Sequence, residues 1–527
     1  MTDPTETATT SQTPDTTRPI TSVPSIIEHW ARVRPEKVCL TQAGFEVTYQ
    51  ELDRRSNQVA HALLADGVAG RHVGYLGKND VRFFELWFGA NKAGSAIAPF
   101  NWRCSAAELA QLIDDARIPV LVLDREFLSV VQQAIEQVSF DVEIVVFAPD
   151  RTPDDYDGWL RDRPTTPVDV TPAASDTALL AYTSGTTGRP KGVQLSQAAF
   201  AESFLTCEEE PSLRWRETDV ALMVMPAFHL AGSWVNLQAL YHGGTIAIIA
   251  MFEPQALLSA LAEVRPTIIC MVPAAIQMLI EHPQSADVDF SGLRRIIYAG
   301  SPISVETLAA AMALFGCEFV QFYGATEMWI MTILRPEQHR TDRPEILTSC
   351  GTPVRGVTIR IVGPDGRDVE DGEVGELWVR SSTTFSGYWD QPDVTAQALD
   401  EDGWYHTGDL GRRDAEGHFY IVDRVKDMII SGGENVYSVE VERALYEHPA
   451  VLSAAVVGIP DPRWGEKVTA YVVLEEGSQL TENDLQEHCR RLIARYKVPK
   501  LIVFEKALPM TPSGKIQKAV LRKQEVV

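Results

Sequence analysis

A short stretch of glycines, hydroxyl side chains and one lysine has the composition of a phosphate-binding loop. It reads Tyr-Thr-Ser-Gly-Thr-Thr-Gly-Arg-Pro-Lys-Gly over residues 182–192 and follows an apolar, strand-like run at residues 179–181. Glycines allow tight turns, and clustered hydroxyl and backbone N–H groups can hold phosphate oxygens. The stretch differs from a Walker A loop, because a glycine rather than Ser or Thr follows the lysine. The residues that we expect to contact phosphate are Thr183, Ser184, Gly185, Thr186, Thr187 and Lys191.

Two further motifs follow apolar runs that are typical of buried strands. They are Tyr-Ala-Gly-Ser-Pro at residues 298–302 and Phe-Tyr-Gly-Ala-Thr-Glu at residues 322–327. Ligands of parallel sheets bind at the carboxyl ends of strands, and small residues at two such ends leave a slot. Tyr323 offers a flat face to a purine there. The small residues that open the slot are Gly300, Ser301 and Gly324.

The second of these motifs also carries polar groups that suit a nucleotide. Thr326 can donate a hydrogen bond to a phosphate. Glu327 supplies a hard oxygen ligand of the kind that Mg²⁺ takes beside phosphates, and Thr183 is a candidate for a second ligand. We therefore expect a magnesium ion near Glu327.

Two more segments place functional groups after predicted strands or on turns. Asp409 ends a Trp-Tyr-His-Thr-Gly-Asp segment at residues 404–409, where its two oxygens could accept both hydroxyls of a ribose. His229 lies in Met-Pro-Ala-Phe-His at residues 225–229, just beyond a predicted strand. That position suits a substrate pocket.

Together these segments resemble the motifs of the adenylate-forming enzymes, a family of acyl-CoA synthetases, carrier-protein adenylation domains and beetle luciferases. The matching segments, in family order, are YTSGTTGRPKG (182–192), MPAFH (225–229), YGATE (323–327), TGD (407–409), YIVDR (420–424) and PSGKIQK (512–518). The resemblance extends from about Ser22 to the C-terminus. It implies that the chain joins a carboxylic acid to CoA through an acyl-adenylate, with ATP and CoA as co-substrates and Mg²⁺ as cofactor.

The resemblance also assigns roles that no single residue would reveal. Lys515 matches the lysine that aligns the acid with the α-phosphate, and Arg424 matches a second ribose contact. Lys426 occupies the family's hinge position, and His229 the wall of the acyl pocket. The loop that lines the CoA channel corresponds to Ser431, Gly432, Gly433 and Glu434.

Two features of the sequence bear on the identity of the acid. Relatives restricted to acetate or propionate resemble one another in placing Trp at the position of Gly324, so a glycine there favours a medium or long acyl chain or a ring. The run MIISGGENVY at residues 428–437 resembles bacterial fatty-acyl-CoA ligases, and we therefore expect a medium- or long-chain fatty acid. Aryl and steroid-side-chain acids are alternatives, as is transfer to a carrier protein instead of CoA. Luciferase-like oxidation and a scaffold without catalysis are less consistent with the intact motifs.

The elements around these motifs predict an α/β fold. Helical and strand periodicity alternate from Ser22 to about residue 350, as in parallel sheets built from βα units. The expected elements include strands near residues 295–299 and 318–322, a capping box at Ser105 and Glu108, and a helix over residues 481–495. Residues 351–422 favour a small antiparallel sheet, and residues 149–176 a surface connection. The domains that we expect are a disordered tail at 1–20, a large domain at 21–423, a hinge at 424–427 and a smaller, mobile α+β domain at 428–527.

Composition sets outer limits on function. The 527 residues carry a net charge of -25, which argues against a nucleic-acid partner. Seven scattered cysteines without CxxC spacing favour a reducing compartment, and we expect a cytoplasmic protein. No apolar stretch is long enough to cross a bilayer. The sequence leaves open whether the chain forms a homodimer.

Overall fold

The computed structural model describes residues 20–150, 152, 154–183, 189–475, 477–510 and 516–524. Its strands, in chain order, are β1 (Val38–Gln42), β2 (Phe45–Thr48), β3 (His72–Leu76), β4 (Ala96–Phe100), β5 (Val120–Asp124), β6 (Glu143–Phe147), β7 (Thr177–Thr183), β8 (Lys191–Ser196), β9 (Val220–Met223), β10 (Thr245–Ile248), β11 (Ile268–Met271), β12 (Arg295–Ala299), β13 (Glu318–Ala325), β14 (Trp329–Leu334), β15 (Thr352–Pro353), β16 (Thr358–Val362), β17 (Gly375–Arg380), β18 (Tyr405–Arg413), β19 (Phe419–Arg424), β20 (Ile429–Ser431), β21 (Glu434–Val436), β22 (Val451–Asp461), β23 (Gly465–Leu474) and β24 (Leu501–Phe504).

Several helices begin at residues whose side chains satisfy free backbone N–H groups. Ser105 and Glu108 form the predicted capping box of the fourth helix, and Thr48 and Thr481 cap the second and fifteenth in the same way. The helices are α1 (Val23–Val33), α2 (Tyr49–Ala65), α3 (Val81–Lys92), α4 (Ala106–Ala116), α5 (Leu128–Ile135), α6 (Asp155–Leu160), α7 (Gln197–Glu209), α8 (Trp234–Tyr241), α9 (Pro254–Val264), α10 (Pro273–Glu281), α11 (Val305–Phe315), α12 (Pro344–Leu347), α13 (Pro392–Ala398), α14 (Ser438–Tyr446), α15 (Glu482–Leu492) and α16 (Lys518–Leu521).

Two large sheets make up most of the N-terminal domain. One has nine strands in the order β15-β14-β13-β12-β11-β9-β10-β1-β2 and is parallel except at β2, β14 and β15. The other has six strands in the order β6-β5-β3-β4-β7-β8 and is parallel except at β8. Neighbouring strands are often distant in the chain, as expected of βα crossovers. The predicted α/β architecture is confirmed.

Helix α3 lies within the largest apolar cluster of the molecule. Every residue of Val81–Lys92 is buried, and Phe83, Phe84, Trp87 and Phe88 are fully inaccessible. The same cluster includes side chains from both large sheets. A helix that is buried on all faces must lie between layers, so α3 joins the two sheets into one core.

Two smaller sheets follow. Strands β16 to β19 form an antiparallel sheet, as predicted for residues 351–422. Strands β20 to β24 form a separate sheet that packs with α14 and α15 around its own apolar cluster. This is the smaller α+β domain that the sequence predicts. Strand β19 ends at Arg424 and β20 begins at Ile429, while the domain boundaries drawn from the sequence stay predictions.

Two segments differ from the sequence-based expectation. The connection at 149–176 contains the short helix α6, because Asp154 caps it and Tyr156 and Leu160 are buried. Helix α15 ends at Leu492, and Ile493 is already extended. The predicted tail falls on residues that, apart from Ile20, lie outside the described part. Within the described residues, no helix combines the length and apolarity that crossing a bilayer would need.

Candidate active site

The two ends of the predicted phosphate loop lie at the tip of the β7–β8 hairpin. Thr183 and Lys191 form the last pair of that antiparallel ladder, and Thr183 Oγ1 lies 3.5 Å from the Lys191 carbonyl oxygen. The predicted contacts at Ser184, Gly185, Thr186 and Thr187 lie outside the described residues. The structure therefore fixes where this loop begins and ends.

The predicted metal ligand Glu327 lies beside that hairpin. Glu327 is 7% exposed, and its Oε1 accepts a hydrogen bond of 2.8 Å from the Tyr388 hydroxyl. Lys191 Nζ lies 4.8 Å from the centre of the Tyr388 ring. Burial and the Glu327 charge both raise the pKa of Tyr388, so the phenol keeps its proton and donates it. Lys191 and Glu327, far apart in sequence, thus meet across one tyrosine.

Glu327 has the chemistry that a magnesium ion needs. Its Oε2 makes no hydrogen bond to any described residue, so one carboxylate oxygen is available to a cation. No group of three or more His, Cys, Asp or Glu side chains that could hold a metal occurs within the described residues. A cation at Glu327 would therefore depend largely on water and phosphate oxygens, which is how Mg²⁺ is usually held beside nucleotides.

The predicted purine and ribose contacts also come together. The Tyr323 hydroxyl donates to Asp409 Oδ2 at 2.7 Å, and Arg424 Nε lies 3.0 Å from Asp409 Oδ1. Asp409 and Arg424 are direct partners in the β18–β19 ladder. Burial, and then the Asp409 charge, raise the pKa of Tyr323. A carboxylate has about four lone-pair sites, so Asp409 keeps capacity for ligand hydroxyls.

The remaining slot residues lie at the ends of the adjacent parallel strands β12 and β13. Gly300 follows β12 with φ +91°, a conformation that favours glycine, and Ser301 is exposed beside it. Thr326 is half-buried in the turn before Glu327. All three are therefore near the Tyr323 end of β13, as the sequence predicts.

The structure explains why position 324 is a glycine, which the sequence alone does not reveal. A Cβ atom placed on Gly324 would lie 1.7 Å from the Trp329 carbonyl oxygen on the neighbouring strand β14. The ladder between β13 and β14 shifts register next to this glycine. Glycine is therefore required by the close approach of two backbones. This backbone contact is a second reason for glycine at position 324, beside the open acyl pocket that the resemblance implies.

His229 lies in the turn that follows β9. It is half-buried, its ring lies 4.5 Å from the Phe228 ring, and its backbone N–H donates to the Pro226 carbonyl. The turn is held by Asn79, whose side chain accepts from the Ala227 N–H at 2.9 Å and donates to the Met225 carbonyl at 3.1 Å. A buried amide in the connection between β3 and α3 thus fixes the predicted acyl-pocket segment.

The predicted hinge is linked to the C-terminal helix of the small domain. Arg522 donates to the Lys426 carbonyl at 3.1 Å and pairs with Asp427 at 2.7 Å. Across the hinge, Asp423 accepts hydrogen bonds from the backbone and hydroxyl of Ser438 at the start of α14. Side chains on both sides of residues 424–427 therefore hold the two domains in this arrangement.

The predicted CoA-channel loop forms the tip of the β20–β21 hairpin. Ser431 is buried, and the Gly432 N–H donates to the Trp464 carbonyl at 2.7 Å. Gly433 and Glu434 are exposed. The tip of the loop is therefore accessible to solvent, and its backbone is held by the hydrogen bond to the carbonyl of residue 464.

Lys515 lies outside the described residues, but its flanks are fixed. Met510 and Ile516 pair in an isolated β-bridge, which closes the segment that carries Lys515. Lys518 is bound by Glu442 and by the Ser438 hydroxyl, each at 2.7 Å. The structure therefore anchors both ends of this loop on the small domain.

Sequence reasoning missed Tyr388 and Asn79. Tyr388 acts on a partner 61 residues away and Asn79 on partners nearly 150 residues away, so neither forms a local motif with them. The signal that could have found Tyr388 is its position in Gly-Tyr-Trp, a short aromatic run within a turn-rich segment.

The chain matches known families along almost its whole length. Residues 27–389 match the AMP-binding enzyme family, and residues 440–515 match the AMP-binding enzyme C-terminal domain. The fatty acid–[acyl-carrier-protein] ligase ScoC of Streptomyces coeruleorubidus is 36% identical over 93% of this chain and 94% of its own. A feruloyl-CoA synthase of Amycolatopsis sp is 37% identical over 94% of this chain and 97% of its own.

Solved structures of similar enzymes share the fold of this chain. ATP-bound MatB from Rhodopseudomonas palustris, 28% identical, superposes with a TM-score of 0.85 over 95% of this chain and 98% of its own. Apo MatB, also 28% identical, superposes with a TM-score of 0.76. From these matches and the site described above, the chain belongs to the AMP-binding enzyme family and is an AMP-forming ligase of the acyl-CoA synthetase type.

Proposed function

We propose that the protein activates a medium- or long-chain fatty acid with ATP, forming an acyl-adenylate and pyrophosphate, and then transfers the acyl group to CoA with release of AMP. The observation that carries this proposal is the cluster in which Lys191, Tyr388 and Glu327 meet beside the end of the phosphate loop. A cation and an available carboxylate oxygen at one point suit a polyphosphate and its metal ion. Adenylation needs that arrangement because its cost lies in developing negative charge.

In this proposal the nucleotide spans two groups of residues. Asp409 and Arg424 bind the ribose, while Tyr323 and the Gly300–Ser301 turn flank the purine. The Thr183–Thr187 segment, Lys191 and Thr326 hold the phosphates. The hydrogen bond between Tyr323 and Asp409 supports this assignment, because it gives the purine and ribose contacts one fixed geometry.

Glu327, with Thr183 at the other strand, would hold a magnesium ion. Such an ion supplies charge that offsets the phosphate oxygens. The contribution of this chain is to hold Glu327 through the Tyr388 hydroxyl, while the second carboxylate oxygen makes no hydrogen bond to a described residue.

Lys515 would align the acid carboxylate with the α-phosphate in the first step. Rotation about Lys426 would then withdraw it and bring Ser431–Glu434 toward the thiol for the second step. The contacts of Lys518 with Glu442 and Ser438 on α14 support this division, because they attach the chain just after Lys515 to the small domain.

The choice of a fatty acid rests on the resemblance to bacterial fatty-acyl-CoA ligases, and ScoC, named as a fatty acid ligase, supports it. The second candidate is an aryl acid, favoured by the feruloyl-CoA synthase that is similar over nearly the whole chain. Because ScoC is named as a ligase for an acyl carrier protein, such a carrier is the alternative acceptor to CoA. In each case His229 and Phe228 would line the entrance for the acid.

The test is to measure AMP formation by the purified full-length protein with acids of graded chain length and ring content. Each acid is assayed with CoA and, separately, with a pantetheinylated carrier protein. We expect the highest turnover with CoA and acids of medium or long chain. Higher turnover with a hydroxycinnamate, or with the carrier, would replace the proposed acid or acceptor.

A further inference from the structure

A buried carboxylate, Asp115, contacts both ends of the phosphate loop. Its Oδ2 accepts a hydrogen bond of 2.8 Å from the Tyr182 hydroxyl, immediately before Thr183. Its Oδ1 binds Arg189, through Nε at 2.9 Å and Nη2 at 2.8 Å, after the loop. The Asp115 side chain is only 5% exposed, so these two partners take most of its hydrogen-bonding capacity.

Asp115 lies where local rules disfavour an acid. It occupies the last turn of α4, next to Asp114, and that turn contains no basic residue. Acidic groups near a helix C-terminus oppose the helix dipole, and a buried carboxylate without a partner is costly. The cost is offset by the charge of Arg189, which lies in the connection between β7 and β8. An unfavourable position whose compensating charge comes from the phosphate-loop segment indicates a role for Asp115 in that segment.

The same helix end also binds the segment that carries Tyr388. The Trp389 indole N–H donates to the Asp115 carbonyl at 2.9 Å. Beside it, the Gln391 side chain donates to the Pro190 carbonyl at 2.8 Å, and the Trp389 N–H donates to the Gly192 carbonyl at 2.8 Å. The end of α4 therefore joins the phosphate hairpin to the residue that orients Glu327.

We propose that Asp115 is a positioning residue that fixes Tyr182 and Arg189, and through them holds Thr183 and Lys191 at the place where the pyrophosphate group of ATP binds. The proposal rests on the function given above, in which this loop binds phosphates only during adenylation. A loop whose ends are fixed loses less conformational entropy when its ligand binds. Asp115 acts through Tyr182 and Arg189 and need not touch ATP.

The two half-reactions separate this role from a general structural one. Adenylation is followed as ATP–pyrophosphate exchange, and thioester formation as acyl-CoA produced from preformed acyl-adenylate and CoA, which needs no pyrophosphate site. We expect D115N and R189A each to raise the KM for ATP and for pyrophosphate by about tenfold, the loss of one charged hydrogen bond. Thioester formation should stay within about twofold of the wild type.

Three further variants sharpen the test. D114N changes the neighbouring acid, which binds the Ser139 hydroxyl at 2.7 Å, and should leave both half-reactions unchanged. R189K, which keeps the positive charge, should lose less than R189A. The double variant D115N/R189A should have about the same KM for ATP as the more impaired of the two single variants, because both changes break the same contact.

The proposal is overturned if D115N and R189A slow both half-reactions by the same factor, or if neither changes the KM for ATP. Because Arg189 is half-exposed, R189A keeps the test valid even if D115N folds poorly. A wild-type protein without any ATP–pyrophosphate exchange would instead refute the proposed function itself, so the two failures are distinguishable.

Discussion

At the scale of single residues, the site depends on one buried carboxylate held by one hydroxyl. Glu327 is nearly inaccessible, and the Tyr388 hydroxyl is its hydrogen-bond donor among the described side chains. A buried carboxylate that loses its donor is poorly solvated and free to reorient. Tyr388 should therefore control how well Glu327 presents its second oxygen, without contacting the reacting atoms.

We expect Tyr388→Phe to lower the kcat of adenylation by about tenfold, the equivalent of one hydrogen bond to a charged group. The Mg²⁺ concentration needed for half-maximal rate should rise in the same variant. ATP–pyrophosphate exchange at varied Mg²⁺ measures both. Tyr420→Phe is a matched control, because Tyr420 on β19 donates a similar tyrosine–carboxylate hydrogen bond to Asp414 at 2.9 Å, and it should leave exchange unchanged.

Site residues that lie in local sequence motifs could be predicted from the sequence. The residues that hold them in place through long-range hydrogen bonds could not. Asp409, Arg424 and Tyr323 were each predicted as nucleotide contacts, and the structure brings them within hydrogen-bonding distance. Tyr388 and Asp115 were missed because each acts on partners more than sixty residues away. Such contacts follow from sheet order, which strand periodicity does not specify.

At the scale of elements, the close approach of β13 and β14 shapes the centre of the site. Trp329, which opens β14, has φ +54°, a left-handed conformation that is rare for a bulky residue, and it is buried. Its carbonyl occupies the direction in which a side chain on Gly324 would project. The turn that carries Thr326 and Glu327 is therefore tightly constrained at both ends.

Gly324→Ala should destabilise the protein by about 1–3 kcal/mol, because the methyl group displaces a backbone carbonyl rather than a flexible side chain. Adenylation should fall as the Glu327 turn shifts. Gly158→Ala is the matched control, since Gly158 lies within α6 and a Cβ there meets nothing within 4 Å. Thermal unfolding of both variants gives the comparison, and equal midpoints would contradict this explanation of Gly324.

A buried histidine beside the same sheet predicts pH-dependent stability. His339 accepts from the Tyr298 hydroxyl at 3.0 Å, and its other ring nitrogen faces the Arg335 carbonyl at 2.8 Å. Burial lowers the pKa of His339 to about 4. The unfolded chain, with a pKa near 6.5, therefore binds more protons between these values, and stability is lost as the pH falls from about 6.5 toward 4.

Between pH 7.5 and 5.0 this histidine should account for a loss of about 2 kcal/mol. His339→Gln removes the titrating group, so its unfolding midpoint should decline less over this range than that of the wild type. Parallel declines in the two proteins would show that His339 does not titrate as its surroundings predict.

Strand positions were largely predictable, and the sheets that they form were not. The predicted strand at 295–299 agrees with β12, and the one at 318–322 is the first part of β13. Helix α6 was not predicted, because its burial depends on Tyr156 reaching Glu85 on α3, where the hydroxyl donates at 3.1 Å. Local periodicity predicts long helices and strands, whereas a helix as short as α6 forms because of its tertiary contacts.

At the scale of the whole molecule, catalysis by two half-reactions requires the small domain to change its orientation. The contacts between Asp423 and Ser438 hold one orientation across the hinge, and rotation about residue 426 would break them. The Lys426 N–H makes no hydrogen bond to a described residue, so proline at this position removes no backbone contact here. Proline does fix φ, which opposes rotation.

We therefore expect Lys426→Pro to keep adenylation within about threefold of the wild type and to slow thioester formation by at least about tenfold. ATP–pyrophosphate exchange and acyl-CoA formation from preformed acyl-adenylate measure the two steps separately. Lys426→Ala, which leaves the backbone free, serves as the control. Equal losses in both steps for the proline variant would count against domain rotation.

The central claim is that this chain makes an acyl-adenylate before it makes a thioester. A rapid-quench single turnover of the full-length protein with ATP, Mg²⁺ and a medium- or long-chain fatty acid, without CoA, tests it directly. We predict equal amounts of enzyme-bound acyl-AMP and pyrophosphate, with acyl-CoA and AMP formed only after CoA is added, and no acyl-AMP from Lys515→Ala. ADP and phosphate in place of these products, or acyl-AMP formed equally well by Lys515→Ala, would contradict the account.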